Sequence, residues 1–94
     1  MNSCYIIFGK KLNRFYIGVC HADLEVRIQK HNDHSYGKHR FTAKANDWEL
    51  FLNIECESFS QASKIEKHIK SMKSSTYVKN LLKYPEMIEK LKQK

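Results

Sequence analysis

No stretch of about 18 consecutive apolar residues occurs in this 94-residue sequence, which excludes a transmembrane helix. The opening segment, Met1 to Gly9, has an apolar patch but no basic leader and is too short for a secretory signal. Cysteine is scarce: Cys4, Cys20 and Cys56 are odd in number, far apart and give no disulfide framework. A reducing, cytoplasmic setting is therefore expected. No repeat, low-complexity tract or linker is visible, and the length fits one domain with one modest core. With 29% charged and 12% aromatic residues, disorder is excluded as well.

Acidic residues are in short supply, with ten against 17 Lys and Arg, for a net charge of +7. The excess is uneven. Residues 1–20 carry three basic side chains and no acid, residues 21–57 sum to −2, and residues 58–94 sum to +6. A lysine-rich C-terminal third can contact phosphates and steer a polyanion towards the domain. Lysines on exposed helix faces also simply confer solubility, so charge alone does not decide the matter.

Cys4 to Phe8 and Phe15 to Val19 are short β-prone runs joined by polar turn residues, the pattern of a hairpin. Asp23 to Asn32 has helical spacing with Asp23 as N-cap, and residues 32–46 form a polar loop. Trp48 to Cys56 reads as a third strand. Ser58 and Gln61 suit a capping box that opens a helix to about Lys73, with Ala62, Ile65, Ile69 and Met72 on its apolar face. Tyr77 to Lys83 and the segment from Pro85 to Leu91 predict two further helices. The order is ββαβα plus C-terminal helices, an α+β fold.

Two of these helices direct polar groups inward. Arg27 and His31 share the face of Leu24 and Ile28, one turn apart, and Glu66 stands at the border of the later apolar stripe. An inward charge costs desolvation unless it is paired or used. Structural accounts exist for each: an ion pair of Glu66 with Lys70, a bridge from Arg27 to an acid, a core imidazole for His31. In the hairpin, Tyr5 and Tyr16 fall on one face as near neighbours if the strands pair antiparallel. Gly18, two residues on, marks a close approach of the backbone to a ligand. Two phenols, a guanidinium, an imidazole and a carboxylate on one basic domain make a plausible phosphodiester-cleaving set.

These residues occur in a familiar order. Tyr5-Ile6, Tyr16-Ile17-Gly18 eleven residues on, Arg27 with His31-Asn32, Phe41-Thr42, Trp48-Glu49-Leu50, and Ala62 with Glu66 and Ile69 together resemble the GIY-YIG nuclease superfamily. The likeness is to its small stand-alone members and covers roughly residues 4–73 of a single domain, 1–94, whose lysine-rich helical tail spans about 76–94. The second motif is intact, whereas the first, Cys4-Tyr5-Ile6, keeps the tyrosine alone. Val19 and Cys20 stand where many members have Lys, Thr or Ser.

The resemblance implies a three-stranded antiparallel sheet flanked by helices and a metal-dependent DNA endonuclease using Mg²⁺ or Mn²⁺. By position, Glu66 is the metal ligand and Arg27 the group that holds the scissile phosphate. Tyr5 and Tyr16 line the site, one of them acting on the attacking water, with His31 assisting as proton acceptor. A phenol with a pKa near 10 needs such help at neutral pH. His39, Lys70 and Asn80 are further candidates for substrate contact. The expected partner is single-stranded, branched or damaged DNA rather than a specific duplex site, because no base-reading element is evident. Repair or recombination is the expected role, for a monomer or weak dimer without membrane attachment. The alternatives are a non-catalytic nucleic-acid-binding module, a protein-interaction adaptor, and a zinc site built from Cys20, His21, His31 and His34.

Overall fold

The computed structural model describes residues 2–21, 23–33 and 44–93. Its elements are β1 (Asn2–Gly9), β2 (Arg14–Cys20), α1 (Leu24–Asn32), β3 (Trp48–Cys56), α2 (Phe59–Met72), α3 (Ser75–Lys83) and α4 (Pro85–Lys92). The three strands form one antiparallel sheet in the order β2-β1-β3, so the most apolar strand lies in the middle. This is the α+β architecture that the sequence predicts.

The local signals act as expected. The Asp23 carboxylate accepts the backbone N–H groups of Glu25 and Val26 at the start of α1. The Ser58 hydroxyl accepts the Gln61 N–H at 3.0 Å, while the Gln61 side chain accepts the N–H of Glu57 at 2.8 Å, one residue earlier than a standard box. Pro85 opens α4 as expected, while α3 starts at Ser75, two residues before the expected Tyr77, because the Ser74 hydroxyl caps it.

Because successive side chains of a strand point to opposite faces, β1 feeds two apolar layers. Cys4 and Ile6 join Ile54 and the Ala62, Ile65 and Ile69 stripe of α2, closed by Val78, Leu81 and Leu91 of the last two helices. Met72, expected on that stripe, is largely exposed at the helix end. On the other face Tyr5 and Ile7 pack with Cys20 and Trp48 beneath Leu24 and Ile28 of α1. Helices α1 and α2 therefore cover opposite faces of the sheet.

A bulge settles the third strand. Ile6 pairs with Leu52 and Ile7 with Leu50, which leaves Phe51 as the extra residue. Without it, Trp48 would turn towards α2; with it, Trp48 faces α1 and is buried. The start of β3 is then clamped by Asn32, whose amide donates to the Trp48 carbonyl at 3.0 Å and accepts the Trp48 N–H at 2.7 Å. One side chain thus serves as a short strand partner and ties the end of α1 to the sheet.

Candidate active site

The site begins with a pairing. Tyr5 on β1 is directly opposite Gly18 on β2, and Ile7 is opposite Tyr16, so both tyrosines stand on the α1 face. The Tyr5 ring lies across the backbone of Gly18. A Cβ at residue 18 would come within 2.5 Å of the Tyr5 hydroxyl oxygen and 2.6 Å of the ring carbon that carries it. The close approach foreseen at Gly18 is thus made by a side chain of the protein rather than by a ligand.

Held there, the Tyr5 hydroxyl reaches across to α1 and hydrogen-bonds His31 Nε2 at 2.8 Å, with both residues buried. Tyr16 completes the group: its ring centroid is 5.0 Å from that of His31 and 6.5 Å from that of Tyr5. Tyr16 keeps partial exposure, so it is the phenol with access to water. Arg27, one turn before His31, donates from Nη2 to the Val19 carbonyl at 2.9 Å. That bond anchors the guanidinium beside the residue following Gly18. It uses the main chain, and the unusual Val19 side chain does not alter it. This contact goes to a carbonyl and not to an acid.

Glu66 comes from the other layer. It sits on α2, its side chain about one-fifth exposed, and its Oε2 pairs with Lys70 Nζ at 3.4 Å. The same ammonium lies 5.8 Å from the centre of the Tyr16 ring. Edge strand β2 separates the two layers, and the link between them passes round that edge through Tyr16 and Lys70. Glu66 also acts on Cys4 beneath it: burial first, then the Cys56 and Glu66 charges, push the Cys4 thiol up to about 12, with Lys70 opposing. Cys4 is a neutral core group rather than a nucleophile or ligand.

The remaining candidates are placed as follows. Asn80 is partly buried on α3, where its carbonyl accepts the Tyr84 N–H at 2.7 Å. His39, Phe41, Thr42 and His34 lie outside the described residues. Among the described residues no three His, Cys, Asp or Glu side chains are grouped to hold a metal ion. A one-carboxylate site does not need such a group, because a hard divalent cation takes most of its ligands from water and substrate oxygens. The donor chemistry of Glu66 fits that description, with Oε2 on a displaceable lysine. Sequence reasoning missed Asn32 as the clamp on Trp48; its amide at the end of a helix carries no local signal of a partner 16 residues away.

Two phenols and an imidazole thus meet on the α1 face, Arg27 is anchored at Val19, and Glu66, on the α2 face, is linked to Tyr16 through Lys70. The family model of the GIY-YIG catalytic domain matches residues 1–80, and the chain belongs to that family. Neither curated proteins nor solved structures give a match. GIY-YIG domains are nucleases, generally dependent on a divalent metal and acting on DNA, so this is the class of activity the chain carries. Among the described residues no helix is long and apolar enough to cross a membrane.

Proposed function

We propose that the chain is a DNA endonuclease that uses Mg²⁺ or Mn²⁺, selects DNA structure rather than base sequence, and serves repair or recombination in the cytoplasm. The observation that carries this reading is the hydrogen-bonded Tyr5–His31 pair, with Tyr16 beside it and Lys70 and Glu66 at the same strand edge. Glu66 would hold the cation, which when bound neutralises charge on the phosphate oxygens.

The protein's own groups divide the rest. A water attacking phosphorus must lose a proton. If that water reaches the Tyr5 hydroxyl past Tyr16, the phenolic oxygen takes its proton while the phenol's own proton passes to Nε2 of His31, so no free phenolate has to form at neutral pH. Tyr16, partly exposed, forms the wall facing the attacking water. Arg27, anchored on the Val19 carbonyl, meets the negative charge that develops on the phosphate. Lys70 contacts substrate once released from Glu66, and His39 and Asn80 are secondary candidates for the same task. The cations near this edge suit phosphates, which fix register and orientation without reading bases.

The test is a panel of labelled single-stranded, duplex, flap and four-way DNA substrates, each with Mg²⁺ and with Mn²⁺. Glu66→Gln and Arg27→Ala should each lower cleavage by roughly 10²–10³-fold while the circular dichroism spectrum is kept. Cleavage unchanged in both variants would overturn the assignment.

A further inference from the structure

We infer that the groove along the outer edge of β2 is the track for the sugar–phosphate backbone of the DNA strand being cut. This rests on the nuclease reading above and extends it to a binding subsite. The groove has a volume of about 820 Å³ and runs from Tyr16 and Lys70 to Arg14 and to the α2–α3 junction at Lys73 and Ser74. It therefore opens at the two residues that join the halves of the site.

Its lining is suited to a polyanion. Arg14, Lys70 and Lys73 contribute three cations, and among the described residues no Asp or Glu lines it. Arg14 ends the hairpin turn and Lys73 ends α2, so the cations come from elements far apart in sequence and meet along one path. Phe15 and Tyr16 supply aromatic surface for sugars and bases between them. A cationic channel with aromatic surface is what single strands bind. The core does not require it: Ile69 and Val78 close the apolar layer at the groove's floor, and both are already buried.

Fluorescence anisotropy of the full chain with a 5′-labelled 20-nucleotide single strand, in EDTA and across a salt series, tests the groove. Arg14→Gln with Lys73→Gln should weaken binding by roughly tenfold or more and flatten the log–log salt slope by about 1.4, from about 0.7 per lost phosphate contact. A charge-matched control, Lys64→Gln with Lys90→Gln, removes two exposed lysines that do not line the groove, and should cost less than about a third of that loss. Equal losses in the two double variants would overturn the proposal, as would an unchanged slope in the groove variant. Both folds are checked by thermal melting. Cleavage of the same strand is measured in parallel. A wild type that cuts while the groove variant binds normally sinks the groove alone. A wild type that binds through the groove but never cuts with either metal supports the groove and sinks the nuclease reading.

Discussion

The Tyr5 hydroxyl is 2.8 Å from Nε2 of His31, and the ring that carries it rests on the bare backbone of Gly18. The two residues come from the first strand and the first helix, yet the strand pairing between Tyr5 and Gly18 sets the height at which the phenol meets the imidazole. Replacing Gly18 by Ala places a methyl group in the volume of the Tyr5 ring. The variant should lose about 1–3 kcal/mol in urea unfolding. Tyr5→Ala in the Gly18→Ala background should remove most of that penalty, because the clash is with the ring itself. Additive losses in the double variant would show that the ring is not what Gly18 accommodates.

Tyr5→Phe keeps the ring and deletes the hydroxyl. His31 Nε2 then loses this buried partner, at a cost of about 1–3 kcal/mol. Cleavage should fall by roughly 10²-fold or more, and the pH–rate profile should change shape, since the proton's route to the imidazole is gone. A loss of stability with an unchanged profile would make the pair structural.

Asn32→Ala removes both hydrogen bonds to the Trp48 main chain. A destabilisation of about 1–3 kcal/mol is expected by denaturant titration. Hydrogen exchange should quicken at the Trp48 amide, and chemical shifts of His31, the preceding residue, should move. Asn32→Asp should fare little better, since a carboxylate cannot donate to the Trp48 carbonyl.

Lys73 ends α2 in the left-handed region, with φ 49° and ψ 40°, where glycine is the usual occupant. Lys73→Gly should therefore stabilise the fold by up to about 1 kcal/mol, measured by the urea midpoint. The same variant should bind DNA more weakly. Greater stability together with lower affinity is the signature of a residue kept for its side chain.

The buried Cys4 thiol titrates at about 12, against 9.0 when exposed in the unfolded chain. Between these values the folded state holds a proton that the unfolded state releases, so stability falls as pH rises through that window. The loss from this group is up to about 1.4 kcal/mol per pH unit above 9, and it is absent below. Unfolding at pH 8, 9.5 and 10.5 should show a steeper decline for wild type than for Cys4→Ala. Parallel declines would place the titration elsewhere.

Much of this protein was legible before its structure. The strands, the four helices and their caps follow from short-range patterns. Asp23, Ser58 and Pro85 act within one turn of where they stand, and the alternation in Cys4 to Phe8 names a central strand. Arg27, His31 and Glu66 stand out in the sequence because a polar group at an apolar position breaks a local period. Tyr5 and Tyr16 share a face as the hairpin spacing requires. Sequence order alone supplied the family, since five elements in register are hard to assemble by chance.

Other features depended on the pairing of distant segments. The bulge at Phe51, which turns Trp48 towards α1, results from competition between two faces for β3 and leaves no local mark. That Asn32 serves as a strand partner, that Gly18 is vacant for Tyr5, and that α1 and α2 take opposite faces with Lys70 of α2 reaching the Tyr16 ring, are likewise tertiary facts. The reason is physical. Helical and strand periods are set by dihedral preferences and caps within a few residues. Which side chain lies over which is set by strand register, and register is chosen by the whole core at once.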